Sequence, residues 1–200
     1  MLEMGNKTMI YLLMLIVLFF LITDILTLMF RSPNFTVEYY NSDIIAGYED
    51  NATITTVSGL KFKSDKKKEE YIKTYKQTSL DTFKKYFSEV SDEIGKKIEV
   101  IDFKSTMDDK ESILEITETV VLSGIVQKSD SSYILDMGQI RMNSVANSTL
   151  KVHLPEDAEI ETVEPTPTKN LGTLLVWSGE DIKTFPKVVY KSSTHREGDE

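Results

Sequence analysis

The chain has 200 residues, 23 basic against 32 acidic side chains for a formal net charge of −9, and no cysteine. Without thiols there is no disulfide framework, no thiolate metal site and no cysteine nucleophile, so a folded domain here rests on its hydrophobic core. The acidic balance argues against nucleic acid as a partner, because phosphate recognition needs a basic face that displaces counterions.

After a short N-terminal tail (residues 1–8), residues 9–30 read MIYLLMLIVLFFLITDILTLMF, 22 residues with one charge, Asp24. As a helix at about 1.5 Å per residue this run spans roughly 33 Å, enough for a hydrocarbon core of about 30 Å. Leu, Ile, Val and Phe each favour the bilayer centre by about 0.3–0.6 kcal/mol, and one Asp costs about 3, so insertion is favoured. The apolar run continues past Asp24 and no small-x-small triplet precedes Arg31-Ser32-Pro33, which reads as an uncleaved signal anchor rather than a cleaved signal peptide. Lys7 on the short side, against Arg31 alone until Lys61 on the long side, points to a cytoplasmic N-terminus and an extracytoplasmic C-terminal domain. Three N-x-S/T triplets on the long side make Asn34, Asn51 and Asn147 candidate glycosylation sites. Asp24 is the one residue placed there at a cost. An ionisable group inside a span is a candidate contact to a partner helix, and the competing reading pairs it with Arg31, seven residues on and nearly on the same face.

Residues 31–191 are read as one extracytoplasmic domain, and 192–200 as a polar, disordered tail. Residues 35–40 and 52–57 are β-branched and aromatic and predict strands, with turns at Asn41-Ser42-Asp43 and at Glu49-Asp50-Asn51. From Asp65 to Ile94 there is no Gly or Pro, and Leu80, Phe83, Phe87, Val90 and Ile94 recur at helical spacing. Tyr71, Ile72 and Tyr75 extend the same face. The spacing predicts a helix of about thirty residues, capped by Ser64 or Asp65, broken near Thr78-Ser79 if at all, and ended by Gly95. Its lysines are read as a solvated outer face, with an anionic-lipid patch as the rival reading. Beyond Gly95 the predicted strands are 98–103, 113–122, 133–135, 150–154, 173–177 and 188–190, with turns at residues 107–110 and 128–131. The fold class expected is α+β: a single transmembrane helix, then a mainly antiparallel, sandwich-like sheet domain with one long amphipathic helix packed on it. Leu80, Phe83, Phe87 and Trp177 are its expected core.

The series Leu154-Pro155-Glu156-Asp157-Ala158, Val163-Glu164-Pro165-Thr166-Pro167, Leu175-Val176-Trp177-Ser178-Gly179 and Phe185-Pro186-Lys187-Val188-Val189-Tyr190 resembles the ending of a family of membrane-anchored ectodomains, a domain of unknown function, in archaea and thermophilic bacteria. The resemblance covers about 40 residues and implies consecutive strands of a sandwich-like domain. It brings no activity and no catalytic residue with it.

Patterns that carry chemistry are few. His195 lies in the tail, and His153, between Val152 and Leu154, is expected to face solvent or a groove. No G-x-S-x-G turn, Gly-rich phosphate loop or D-x-D-x-D-G calcium loop is present. Asp108-Asp109 reads as a turn, and Glu111, Glu115 and Glu118 as the solvated edge of a strand. The sequence therefore reads as a non-enzymatic binding or assembly module with no cofactor or metal, held at a lipid bilayer. The alternatives are a subunit docked into a membrane protein complex through Asp24 and, more distantly, an extracytoplasmic hydrolase using paired carboxylates.

Overall fold

Long alternating runs of β-branched and aromatic residues build most of the domain. In the computed structural model the described residues are 34–76, 81, 84–85, 87–88, 91–92, 95–138, 145, 147–179 and 182–193. The expected span at 9–30 and its Asp24, the apolar positions Leu80 and Phe83, and His195 lie outside them. Among the described residues no helix is long and apolar enough to cross a membrane.

The strands are β1 (Phe35–Ala46), β2 (Asn51–Phe62), β3 (Glu99–Lys110), β4 (Ile113–Ser123), β5 (Val126–Ser129), β6 (Ser132–Leu135), β7 (Ser148–His153), β8 (Ala158–Glu164), β9 (Lys169–Leu171), β10 (Leu174–Ser178) and β11 (Lys187–Ser192). They form a seven-stranded sheet in the order β3-β4-β2-β1-β7-β10-β9 and a four-stranded sheet in the order β5-β6-β11-β8. All pairings are antiparallel except β1 with β7, where Ile44 lies opposite Val152 in a parallel register. The inner faces of the two sheets share a core. Ile44, Leu122, Leu150, Leu175 and Trp177 come from the larger sheet and Leu135, Val188 and Tyr190 from the smaller, joined by Phe87 at 2 % exposure.

One helix, α1 (Asp65–Tyr75), lies on the same inner face, beside the smaller sheet. The Ser64 side chain caps it by accepting from the Lys67 N–H, Asp65 favours its first turn and Lys73 its last. Tyr71 and Tyr75, four residues apart and so on one face, pack on Phe35, Leu60, Leu114 and Ile116 as a second apolar cluster. The Tyr71 ring sits 5.6 Å from that of Phe35 and 5.2 Å from that of Phe62.

Several expectations are corrected. The helix expected over about thirty residues is not continuous: α1 covers eleven of them and ends where the Lys76 N–H bonds the Ile72 carbonyl at 3.1 Å, two residues ahead of the break expected near Thr78-Ser79. Helical backbone is also described at Asp81, Lys84, Lys85, Phe87, Ser88, Ser91 and Asp92, ahead of Gly95 at φ +67°. The turn expected at Asn41-Ser42-Asp43 is strand. Asn41 pairs with Val57 and Thr149, so ladders on both sides override the local turn preference. Asp108-Asp109 is also strand, and the chain reverses at Glu111-Ser112, with Glu111 at φ 50°. β8, absent from the expected strands, shows weak alternation because its register with β11 shifts by a bulge opposite Val189 and Tyr190. β11 runs through Ser192, whose hydroxyl bonds Asp157 at 2.6 Å, so ordered backbone extends into the stretch expected as tail.

Candidate functional site

The outer face of the seven-stranded sheet carries a row of short side chains between two rows of tall ones. Asn41 sits between Val57 on β2 and Thr149 on β7. On one side of this row stands Tyr39, whose ring lies flat on Gly59; a Cβ at Gly59 would approach Tyr39 Cε1 to 2.4 Å. Tyr39 Oη donates to Glu115 at 2.6 Å, and Lys110 Nζ donates to the other oxygen of Glu115 at 2.6 Å. On the other side Asp43 Oδ1 is approached by His153 Nε2 at 2.9 Å and by Lys151 Nζ at 3.4 Å. The short row thus floors a depression of about 570 Å³ lined by Tyr39, Asn41, Asp43, Val57, Glu115, Thr149 and Lys151.

The electrostatics of the rim follow from these contacts. Lys110 and then Tyr39 hold the Glu115 carboxyl below the usual carboxylate range. Desolvation, and then the bond to Glu115, pushes the Tyr39 phenol up to about 12, so it stays a donor at neutral pH. The arrangement offers an aromatic face, an amide, a hydroxyl, an ammonium and two carboxylates to a polar ligand. No group of three or more His, Asp or Glu that could hold a metal is found among the described residues.

A second polar group lies on the inner face, at the seam between the two apolar clusters. On β4 the inward positions run Leu114, Ile116, Glu118, Val120, Leu122, so Glu118 points into the fold between apolar neighbours. Tyr75 Oη donates to Glu118 Oε1 at 3.0 Å. Thr56 lies opposite Glu118, and its hydroxyl meets Ser42 Oγ at 2.9 Å and accepts from Tyr40 Oη at 3.3 Å. The expectation of Glu118 on a solvated strand edge is therefore corrected. Two-residue periodicity through β4 is the signal that points to it, since Glu118 shares the parity of its four apolar neighbours. Glu115, three residues earlier, has the opposite parity and does face outward.

Desolvation pushes the Glu118 carboxyl up to about 7, against a smaller lowering by the Tyr75 hydrogen bond. A carboxyl raised on folding favours the protonated folded state, so this group's stabilisation is complete below about 4.5 and is lost as pH rises toward about 7. The loss is expected to be roughly 2 kcal/mol, allowing for partial exposure. Thermal melts across this window should show a falling Tm in the wild type and a flatter profile in Glu118→Gln. Identical profiles for the two proteins would overturn this assignment.

Asp24 lies outside the described residues, and the three candidate glycosylation sites lie just ahead of β1, at the start of β2 and just ahead of β7. Asn34 is half-buried, and its carbonyl accepts from the Lys63 N–H at 2.9 Å. Asn51 is half-buried opposite Ser123. Asn147 is exposed and donates through Nδ2 to the Glu38 carbonyl at 3.3 Å. His153 faces outward and joins the depression's rim through Asp43, a partner 110 positions away that no local motif announces.

A family model described as a domain of unknown function, DUF4897, matches residues 35–191. No curated protein matches the chain. Among solved structures, the folded domain of Mycobacterium tuberculosis LppM is similar at 10 % identity and a TM-score of 0.42, over 77 % of this chain and 89 % of that one. An M1 zinc metallopeptidase from Deinococcus radiodurans is similar at 7 % identity and a TM-score of 0.33, over 79 % of this chain, which spans only 42 % of that one. Likenesses at these scores carry no argument about activity.

Proposed function

The chain belongs to the DUF4897 family, and we propose that it is a membrane-anchored, non-catalytic module that presents its β domain outside the cytoplasm for binding or assembly. The observation that carries this reading is the apolar run 9–30, long enough to span a bilayer and separated from β1 by only Arg31 to Asn34. The depression on the outer sheet face supplies the surface. Its lining comes from four adjacent strands, with the polar groups on β4, β1 and β7, and strands fix side chains more firmly than loops do. Its carboxylates already hold cations or donors of the same chain, which suits recognition of a polar ligand more than acid–base chemistry.

The expected topology is tested by adding protease to intact cells carrying the protein with a tag at its N-terminus. The domain from residue 35 onward should be digested while the tag stays protected. Complete protection of the domain together with an accessible tag would reverse the orientation and remove the extracytoplasmic role.

A further inference from the structure

We infer that the end of the domain bearing Lys61, Lys63 and Lys66 rests against anionic lipid headgroups, so that the long strands stand upright on the bilayer; this rests on the membrane-anchored reading. The first ground is the length of the tether. Four residues separate Phe30 from Phe35, and extended chain covers at most about 3.5 Å per residue. The start of β1 therefore lies within roughly 18 Å of the end of the apolar run. The registers identify what shares that end. Phe35 pairs with Phe62 and Thr36 with Lys61, and the Lys63 N–H bonds the Asn34 carbonyl at 2.9 Å. Lys66 follows in the first turn of α1.

The second ground is charge. Lys61, Lys63 and Lys66 are exposed and make no ion pair with any described residue. Several acids at this end already have cations. Lys68 holds Asp109 at 2.8 Å and lies 3.9 Å from Asp65, and Lys67 holds Glu70 at 2.9 Å. Glu69 and Glu111 are the acids left exposed there without an ion pair. The opposite end is acidic. Glu49 and Asp50 follow β1, and Asp157 beside Glu156 is bound by Tyr48 Oη at 2.9 Å. β1 has 12 residues, so that end lies about 40 Å further out, several Debye lengths from the near one.

Residues 31–200 carry 22 basic and 30 acidic side chains, so an anionic surface repels the domain as a whole. It attracts this one end, and the result is a preferred orientation rather than tight binding. Each lysine near such a surface biases the lipid-facing orientation by roughly fivefold at low salt.

The absence of cysteine allows single labels on the full chain. Ser112 and Ser123 bracket β4, with Ser112 at the near end and Ser123 at the far one. Full-length Ser112→Cys and Ser123→Cys proteins, each carrying a fluorophore, are reconstituted into vesicles of phosphatidylcholine alone or mixed with phosphatidylglycerol, with nitroxide on the lipid headgroups as quencher. The label at position 112 should be quenched several-fold more in the mixed vesicles than in phosphatidylcholine alone. That excess should disappear when Lys61, Lys63 and Lys66 are all changed to Gln, and position 123 should respond to neither change. Flotation after an alkaline wash reports the anchor separately. Loss of flotation overturns the anchor and this inference together. Flotation with quenching at position 112 that ignores lipid charge and the lysines overturns this inference alone.

Discussion

Trp177→Ala is expected to lower the unfolding free energy by about 3–5 kcal/mol, the usual cost of emptying a large aromatic site in a packed core. Trp177 is 1 % exposed and lies in the cluster that joins both sheets. Its indole N–H also donates to the Pro165 carbonyl at 3.0 Å, tying the loop after β8 to the central sheet. Alanine would remove the ring from between the two layers and leave that carbonyl without its donor. Trp177→Phe keeps much of the volume and loses the N–H, so a smaller loss of about 1–2 kcal/mol is expected. Urea unfolding followed by circular dichroism measures both. A loss below about 1 kcal/mol for the alanine variant would show that the ring does not join the sheets.

Gly124→Ala is expected to be comparably damaging, at about 3 kcal/mol or more, for a backbone reason. Gly124 sits at φ +81°, a region that L side chains avoid, and a Cβ there would lie 2.0 Å from the carbonyl oxygen of Lys97. Backbone has to move to relieve that contact. The Gly124 N–H bonds the Asp50 carbonyl at 2.9 Å, so the β1–β2 connection would be strained as well. Gly95 is the internal control. It has φ +67° with open space around its Cβ position, so Gly95→Ala should cost only about 1–2 kcal/mol, the conformational penalty alone. Equal losses at the two glycines, measured by thermal melting, would show that the close approach to Lys97 is not a constraint.

Much of the sheet is legible in the residue pattern alone. Leu150, Val152 and Leu154 alternate and are all buried, while His153 between them faces outward. The Ser64 cap follows from residue type, and the Tyr71–Tyr75 face and the burial of Phe87 from spacing. The tyrosines and Phe87 nonetheless join two separate apolar clusters instead of the one face expected. Periodicity of two or of 3.6 is a local property, so it survives in the sequence. The turn expected at residues 41–43 fails because Asn, Ser and Asp favour turns only where no neighbouring strand claims their backbone. β1 has β2 on one side and β7 on the other, and Ser42 bonds Thr56 within the fold.

Residue types and their spacing are enough to read an acidic, cysteine-free, strand-rich domain behind an apolar run, with its tryptophan on a core strand. Which polar groups meet depends on how the strands assemble. Tyr39 reaches Glu115 across 76 positions, and Asp43 reaches His153 across 110. Neither pairing has a local signature, since register across a seven-stranded sheet depends on every intervening strand and on the bulge between Val37 and Tyr39. The placement of Glu118 combines the two. Its inward parity is written in β4, but the seam it faces exists only because α1 and the smaller sheet cover different parts of one inner face. Burial at that seam, a property of the assembled layers, is what raises its affinity for a proton.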